Sequence, residues 1–441
     1  MNNGKKHEIL EDALRYASST QVFLSEAGAI AALPNIVVRL FPQVPLLPVA
    51  DENTWEAAGK HTVDLLKQAG LAVHDPYLFP GSPVLEADYD LAVALSEFFR
   101  ETSVGIPVAI GSGTINDLVK LGAHLSDRPY ICVATACSVD GYASDGAALL
   151  TDGFKMTHAC PAPAVIIGDS TIMHDAPEEL TASGYADLLA KVPAGADWIL
   201  ADFLGEDPIR PVSWHLVQEH LRAWLIDPGD TEAIFTGLTL CGLAMQYQKD
   251  SRPVSGAEHL LSHVWEMEHH TYKGATILHG IKVGIGTLLT TAVLSHLVKR
   301  GVEGGAPLQA HARLLADKSA LLQKYFGHLA NLDKMQVTLE SKYAHPTRQG
   351  ERREKLIAHW PQLAEKLRAQ LYSYEEVASL LVKADCPVRS EDIGLDKRLA
   401  IETLRKSQLI RNRYTVLDVL DDVGLMDEVI DALIADTTIL K

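Results

Sequence analysis

Pro107-Val-Ala-Ile-Gly-Ser-Gly-Thr-Ile-Asn-Asp-Leu-Val-Lys120 opens with a short apolar run and turns at two glycines. It then carries apolar residues at helical spacing, Ile115, Leu118, Val119 and Leu121. The order is strand, glycine turn, helix. Gly111 and Gly113 lack a Cβ where the chain turns sharply, and the N–H groups at the helix start favour a diphosphate. A full dinucleotide fingerprint has a third Gly or Ala where Asn116 stands, and lies in the first strand–helix–strand unit. Taken alone, the turn is either a phosphate cradle or a tight structural turn. Tyr130-Ile-Cys-Val-Ala-Thr-Ala-Cys-Ser-Val-Asp-Gly-Tyr-Ala-Ser144 tilts the balance toward a nucleotide cofactor. After a second strand, Tyr130–Ala134, it clusters the hydroxyls of Thr135, Ser138 and Ser144 around Asp140, more polar groups than a turn needs.

Outward from these stretches, β-type runs alternate with helical ones at Val22–Leu24, Val44–Val49, Ala72–Val73, Val108–Ile110, Ile131–Val133 and Val165–Ile167. Alternation of this kind predicts a mostly parallel, Rossmann-like sheet with helices on its faces. After about Asp169 nearly every segment has helical periodicity. The expected organisation is an α/β domain over 1–170 followed by an all-α domain over 171–441. Asp51-Glu-Asn-Thr54 follows the second run, so Asp51 either accepts hydrogen bonds from a cofactor ribose or caps the next helix.

The chain has 441 residues, a length at which two domains are the default. With 57 acidic against 39 basic residues the net charge is −18, which disfavours nucleic acid and anionic membrane as partners. Five cysteines without a Cys-x-x-Cys pair suit a reducing compartment, and the N-terminal stretch has no apolar signal core. A cytoplasmic location is expected. Val283–Leu297 is apolar but interrupted by Gly, Thr, Ser295 and His296, and is expected to be a buried helix rather than a membrane span.

The helical half carries three chemically loaded segments: Ala186–Lys191 with Asp187, Gly256–His263 with His259 and His263, and Leu278–Gly284 with His279. Two imidazoles with one carboxylate form a common open site for a divalent cation. His259 and His263 stand four apart, which on a helix gives one face but does not say whether one or both are ligands. Among 18 histidines such pairs also arise by chance, as core residues. Met267–Tyr272, with His269 and His270, is expected to be a connecting turn.

In order and in composition, these segments resemble the sn-glycerol-1-phosphate dehydrogenases. That family belongs to the superfamily of glycerol dehydrogenase, iron-type alcohol dehydrogenase and dehydroquinate synthase. The resemblance runs from Asp51–Thr54 to His279–Gly286, and Ile410-Arg-Asn-Arg-Tyr-Thr-Val-Leu417 is similar to the longer bacterial branch. It is weakest over residues 305–400. It implies a dehydroquinate synthase-like fold and an NAD(H)- or NADP(H)-binding pattern on Gly113, Thr114, Ile115, Asn116, Asp117, Thr135, Ala136, Cys137, Ser138 and Ser144; Asp51 is a further candidate cofactor contact from its place after the second strand. It assigns one divalent ion, zinc, nickel or iron, to Asp187, His259 and His279. Asp140, Asp187 and His263 become the catalytic and substrate-binding residues.

The implied reaction is reversible reduction of dihydroxyacetone phosphate, a small phosphorylated substrate, to sn-glycerol 1-phosphate. A homodimer is expected as the commonest assembly of soluble enzymes, with no nucleic acid and no membrane insertion. Lys191, Arg252, Lys282, Arg411 and Arg413 are candidates for the substrate phosphate by proximity in sequence. Alternatives are a dehydrogenase of glycerol or another polyol, a dehydroquinate synthase-type lyase, and a non-enzymatic NAD or sugar-phosphate scaffold. The chain departs from the family at Ser112, where a glycine is usual, and at Cys137, which predicts sensitivity to thiol reagents.

Overall fold

The computed structural model describes residues 3–102, 105–151, 154–329 and 331–441. They form two compact units, Met1–Leu188 with Val212–Asp250, and Leu189–Pro211 with Ser251–Lys441. The strands of the first unit are β1 (Val22–Glu26), β2 (Leu46–Asp51), β3 (Tyr77–Phe79), β4 (Ile106–Gly111), β5 (Ile131–Ala134), β6 (Ala147–Thr151), β7 (Phe154–His158) and β8 (Val165–Asp169). Six make a parallel sheet in the order β1-β8-β5-β4-β2-β3. Val49, Ala109, Cys132 and Ile166 lie in one paired row across its middle. Every residue of β4, β5 and β8 is buried, as continuous apolar runs in a sheet covered on both faces require. On one face Leu46, Val108, Ile110, Val133 and Ile167 join Leu33, Val37 and Leu66 in the core. Each such side chain contributes roughly 1.5–3 kcal/mol on burial.

From β2 the chain steps outward to β3, returns past β2 to β4, and continues the other way to β5. The strand order therefore reverses between β2 and β4. In open parallel sheets the crevice beyond the carboxyl ends at such a reversal takes the ligand. Asp51 and Gly111 are the last residues of those two strands.

Two details depart from the expected strands. Ala72–Val73 makes only a single bridge to Leu46, and the edge strand lies further on at Tyr77–Phe79. β6 and β7, unanticipated, pair antiparallel as a hairpin outside the main sheet.

The expected boundary after residue 170 is displaced, because later helices complete the first unit. In the helix Thr231–Gln248, Phe235 packs on Phe23 of β1 and on Tyr142, with ring centroids 5.9 and 5.2 Å apart. Gln246 of the same helix binds Ser18, Ser19, Thr20 and Ala143.

The second unit is helical apart from a two-residue ribbon, Thr271–Tyr272 against Ala275–Thr276. Its centre is a pair of packed helices, Ala257–Met267 and His279–Arg300. A Cβ at Gly286 would stand 2.4 Å from the Glu258 carbonyl oxygen, so only glycine permits this approach. Buried Asp197 accepts hydrogen bonds from the Ala257 and Val416 N–H groups at 2.7 and 2.6 Å, capping two helix starts with one carboxylate. Among the described residues His279–Arg300 is the one helix long and apolar enough to cross a membrane, and 83% of its apolar window is buried in the protein. It ends at Gly301, whose φ is +83°.

Candidate active site

In the first unit the helix α1 (Gly113–Leu125) starts directly after β4 and Ser112. A Cβ on Gly111 would meet Ile115 Cβ at 2.6 Å, so the glycine lets the helix fold back tightly on its strand. Thr135, at the end of β5, donates its N–H to the Gly111 carbonyl at 3.1 Å, bringing the two quoted stretches side by side. Gly113 and Thr114 are half-buried at the helix start, whereas Ile115 and Asn116 are buried. Asn116 accepts from the Tyr130 hydroxyl at 3.0 Å, and Asp117 accepts from the Ala148 N–H at 3.2 Å.

Lys120 is a buried cation whose role the sequence did not reveal. Its Nζ donates to the Gly141 and Gly146 carbonyls at 2.7 and 2.9 Å and lies 3.5 Å from Asp117. It thereby fastens the segment of Asp140 and Ser144 to α1. Ser144 Oγ donates within the same loop, to the Gly141 carbonyl at 2.9 Å. Asp140 donates its N–H to Asp187 Oδ2 at 3.0 Å, joining two of the three expected substrate contacts.

Asp51 Oδ1 accepts from the Thr54 N–H at 2.8 Å, while Thr54 Oγ1 accepts from the Asp51 N–H at 3.1 Å. Of its two expected roles, helix capping is the one its bonds display. Thr135, Ala136, Cys137 and Ser138 are all buried. The expectation of thiol sensitivity at Cys137 is corrected: its side chain is fully covered, and burial, tempered by a Thr181 contact, pushes the thiol up to about 11. Thiolate, the reactive form, is then scarce at neutral pH.

In the second unit α2 (Ala257–Met267) and α3 (His279–Arg300) supply three imidazoles that gather together. Ring centroids are 5.6 Å apart for His259 and His279, 5.9 Å for His263 and His279, and 6.3 Å for His259 and His263. Each ring has its Nδ1 on a carboxylate. His259 is 2.8 Å from Glu258 Oε1, His279 is 2.7 Å from Glu266 Oε1, and His263 is 3.1 Å from Glu266 Oε2. An ionised carboxylate only accepts, so Nδ1 carries the proton in each neutral ring and Nε2 carries the lone pair. Burial is the main cause that lowers His263 below its ordinary value, with Glu266 opposing it, which keeps this ring neutral.

Glu258 and Glu266 were not anticipated. Their signal was local, since Glu258 precedes His259 and Glu266 follows His263 by three. His270, in the connection expected at Met267–Tyr272, has its Nε2 2.6 Å from the Ile393 carbonyl oxygen. Among the described residues, Asp187, His259 and His279 are a group whose donor atoms are able to hold a metal ion. Of the basic candidates, Arg252 and Arg413 have structural partners. Arg252 donates to the Asp197 and Tyr414 carbonyls, and Arg413 to the Ser255 carbonyl and Ser251 Oγ. Lys282 lies 3.3 Å from Glu266.

Residues 24–177 match the iron-containing alcohol dehydrogenase family. The fold is that of glycerol dehydrogenase from Schizosaccharomyces pombe, with a TM-score of 0.56 at 17% identity over 94% of this chain and 91% of that one. Sheet, helical unit and the match over residues 24–177 give the chain the fold of the glycerol and iron-type alcohol dehydrogenase class. The glycerol-1-phosphate dehydrogenase (NAD(P)+) of Halalkalibacterium halodurans is 29% identical over 384 residues, 85% of this chain and 86% of that protein. That of Methanospirillum hungatei is 31% identical over 270 residues, 59% of this chain and 72% of that protein. The chain belongs to the glycerol-1-phosphate dehydrogenase family.

Proposed function

We propose that this protein catalyses the reversible reduction of dihydroxyacetone phosphate to sn-glycerol 1-phosphate with NADH or NADPH, using one divalent ion held by Asp187, His259 and His279. The observation that carries the metal assignment is the carboxylate behind each imidazole: Glu258 and Glu266 hold the Nδ1–H groups of His259 and His279 and direct the Nε2 lone pairs elsewhere. Metal-ligating histidines have this arrangement almost without exception. Two imidazoles and a carboxylate suit zinc, nickel or iron.

The remaining roles are assigned to residues of this chain. Gly113, Thr114, Ile115, Asn116 and Asp117 at the start of α1 bind the dinucleotide diphosphate, where helix N–H groups favour an anion. Thr135, Ala136, Cys137, Ser138 and Ser144 line the nicotinamide side, and Asp51 is assigned to the ribose. When bound, the ion polarises the C2 carbonyl as a Lewis acid and the dinucleotide supplies the hydride. Asp140 and His263 orient the substrate hydroxyls. The Asp140 N–H on Asp187 sets the carboxylate that serves both metal and substrate. Holding donor and acceptor carbons in contact is the main contribution of the protein to rate. A homodimer, the commonest assembly of such enzymes, and a cytoplasmic location complete the proposal; the location is supported by five buried cysteines without a disulfide, which suit a reducing compartment.

Substrate choice is tested by following NADH and NADPH oxidation with dihydroxyacetone phosphate and with unphosphorylated dihydroxyacetone. Turnover with the phosphate ester is expected. Turnover with dihydroxyacetone alone would make the protein a polyol dehydrogenase, and cofactor binding without turnover would make it a scaffold.

A further inference from the structure

Glu266 is shared by two imidazoles and a lysine. Its Oε1 accepts from His279 Nδ1 at 2.7 Å and lies 3.3 Å from Lys282 Nζ, and its Oε2 accepts from His263 Nδ1 at 3.1 Å. Only 6% of its side chain is exposed. The two rings stack, with 23° between their planes and centroids 5.9 Å apart. His263 sits one helical turn before Glu266 on α2, and His279 is the first residue of α3. One carboxylate thus bridges two helices and sets two rings in parallel.

We infer that Glu266 is a positioning residue that fixes the tautomer of the metal-side His279 and of the substrate-side His263 together. The inference rests on the ligand and substrate assignments proposed above. A carboxylate is the one side chain of this length that offers two acceptor atoms and no donor. With Glu266 present, both Nδ1 atoms bear protons and both Nε2 atoms carry lone pairs. An amide of the same shape has one acceptor. Lys282 and His279 both donate toward Oε1, so the oxygen of a glutamine stays on that side and its NH2 faces His263. His263 Nδ1 then has to accept, and its proton moves to Nε2. His279 keeps its tautomer.

Metal affinity by chelator competition, kcat and KM for dihydroxyacetone phosphate, and ring ¹⁵N shifts in histidine-labelled, metal-free protein test the inference. They are measured on wild type, Glu266→Gln, Glu266→Ala and His279→Ala. Glu266→Ala is expected to weaken metal binding about 10–100-fold, the usual effect of losing a partner behind a ligand. Glu266→Gln is expected to regain most of that affinity, to keep turnover depressed, and to show His263 protonated on Nε2. Wild-type metal affinity in Glu266→Ala, or Nδ1–H retained on His263 in Glu266→Gln, overturns the inference. If Glu266→Ala does not fold, the isosteric Glu266→Gln decides alone through its ring shifts. Undiminished metal stoichiometry in His279→Ala would instead refute the ligand assignment, leaving the tautomer result to stand by itself.

Discussion

Gly286→Ala separates the metal site from the stability of the helices that carry it. The added methyl would stand 2.4 Å from the Glu258 carbonyl oxygen and 3.1 Å from its carbonyl carbon, where 3.0 Å is the closest approach real Cβ atoms make. The two helices must part by roughly 0.6 Å or more, because packed interiors offer no void to absorb the atom. Overpacking of this kind costs about 1–3 kcal/mol. Replacing glycine by alanine within a helix returns about 0.8–1.0 kcal/mol. The net loss is therefore small, and the melting temperature of metal-free protein should fall by less than about 8 °C.

Metal binding should respond far more. Ligand distances tolerate only about 0.2 Å. The displaced backbone is that of Glu258, which is next to His259 and holds its Nδ1. A chelator-competition titration should show at least about tenfold weaker binding, comparable with loss of a supporting partner. Dinucleotide affinity, assigned above to residues of the first unit, should be unchanged. Wild-type metal affinity in a folded Gly286→Ala protein would refute the role given to this close approach.

Three further outcomes follow from other parts of the molecule. Lys120→Met leaves the Gly141 and Gly146 carbonyls and Asp117 without a buried cation, which should cost about 3 kcal/mol or more in denaturant unfolding and weaken dinucleotide binding more than metal binding. Burial pushes the Asp169 carboxyl up, but hydrogen bonds from Thr171, Ile30 and Gly28 outweigh it and hold the group below its ordinary value. A depressed carboxyl stabilises above its unfolded value and loses that contribution as pH falls through the folded one. Asp169→Asn should therefore destabilise at neutral pH, with the gap to wild type closing below about pH 4 in a stability–pH series. The five cysteines are buried and form no disulfide, and burial pushes Cys132, Cys137, Cys160 and Cys386 up to about 11–12. A disulfide reagent at neutral pH should label none of them in native protein, and fast labelling of one thiol with loss of activity would contradict this.

Local pattern carried the parallel sheet, because β2, β4, β5 and β8 are apolar runs between glycine or polar turns, with the period and length of buried strands. The β6–β7 hairpin escaped it, since Ala147–Thr151 is alternately buried and half-buried and sits among loop-like polar residues. Unit membership was equally hidden. The helix Thr231–Gln248 belongs with the sheet through Phe235 and Gln246, and no periodicity says which body a buried helix joins. At the candidate site, spacing supplied His259 and His263 as one helix face but could not rank them. The partners that set their rings, Glu258 and Glu266, are ordinary helix residues in sequence and become distinctive only when Nδ1–carboxylate distances are known. Lys120 is hidden for the same reason, as one lysine on an amphipathic helix until its acceptors are located.

The most direct test of the central claim is dihydroxyacetone phosphate-dependent oxidation of NADH and NADPH by protein stripped with a chelator and then reloaded with zinc, nickel or iron, with the enantiomer of the product assigned. Activity should vanish on stripping, return with about one ion per chain as the donor set provides, and yield sn-glycerol 1-phosphate. Full activity in the stripped protein, or a product that is the opposite enantiomer, would contradict it.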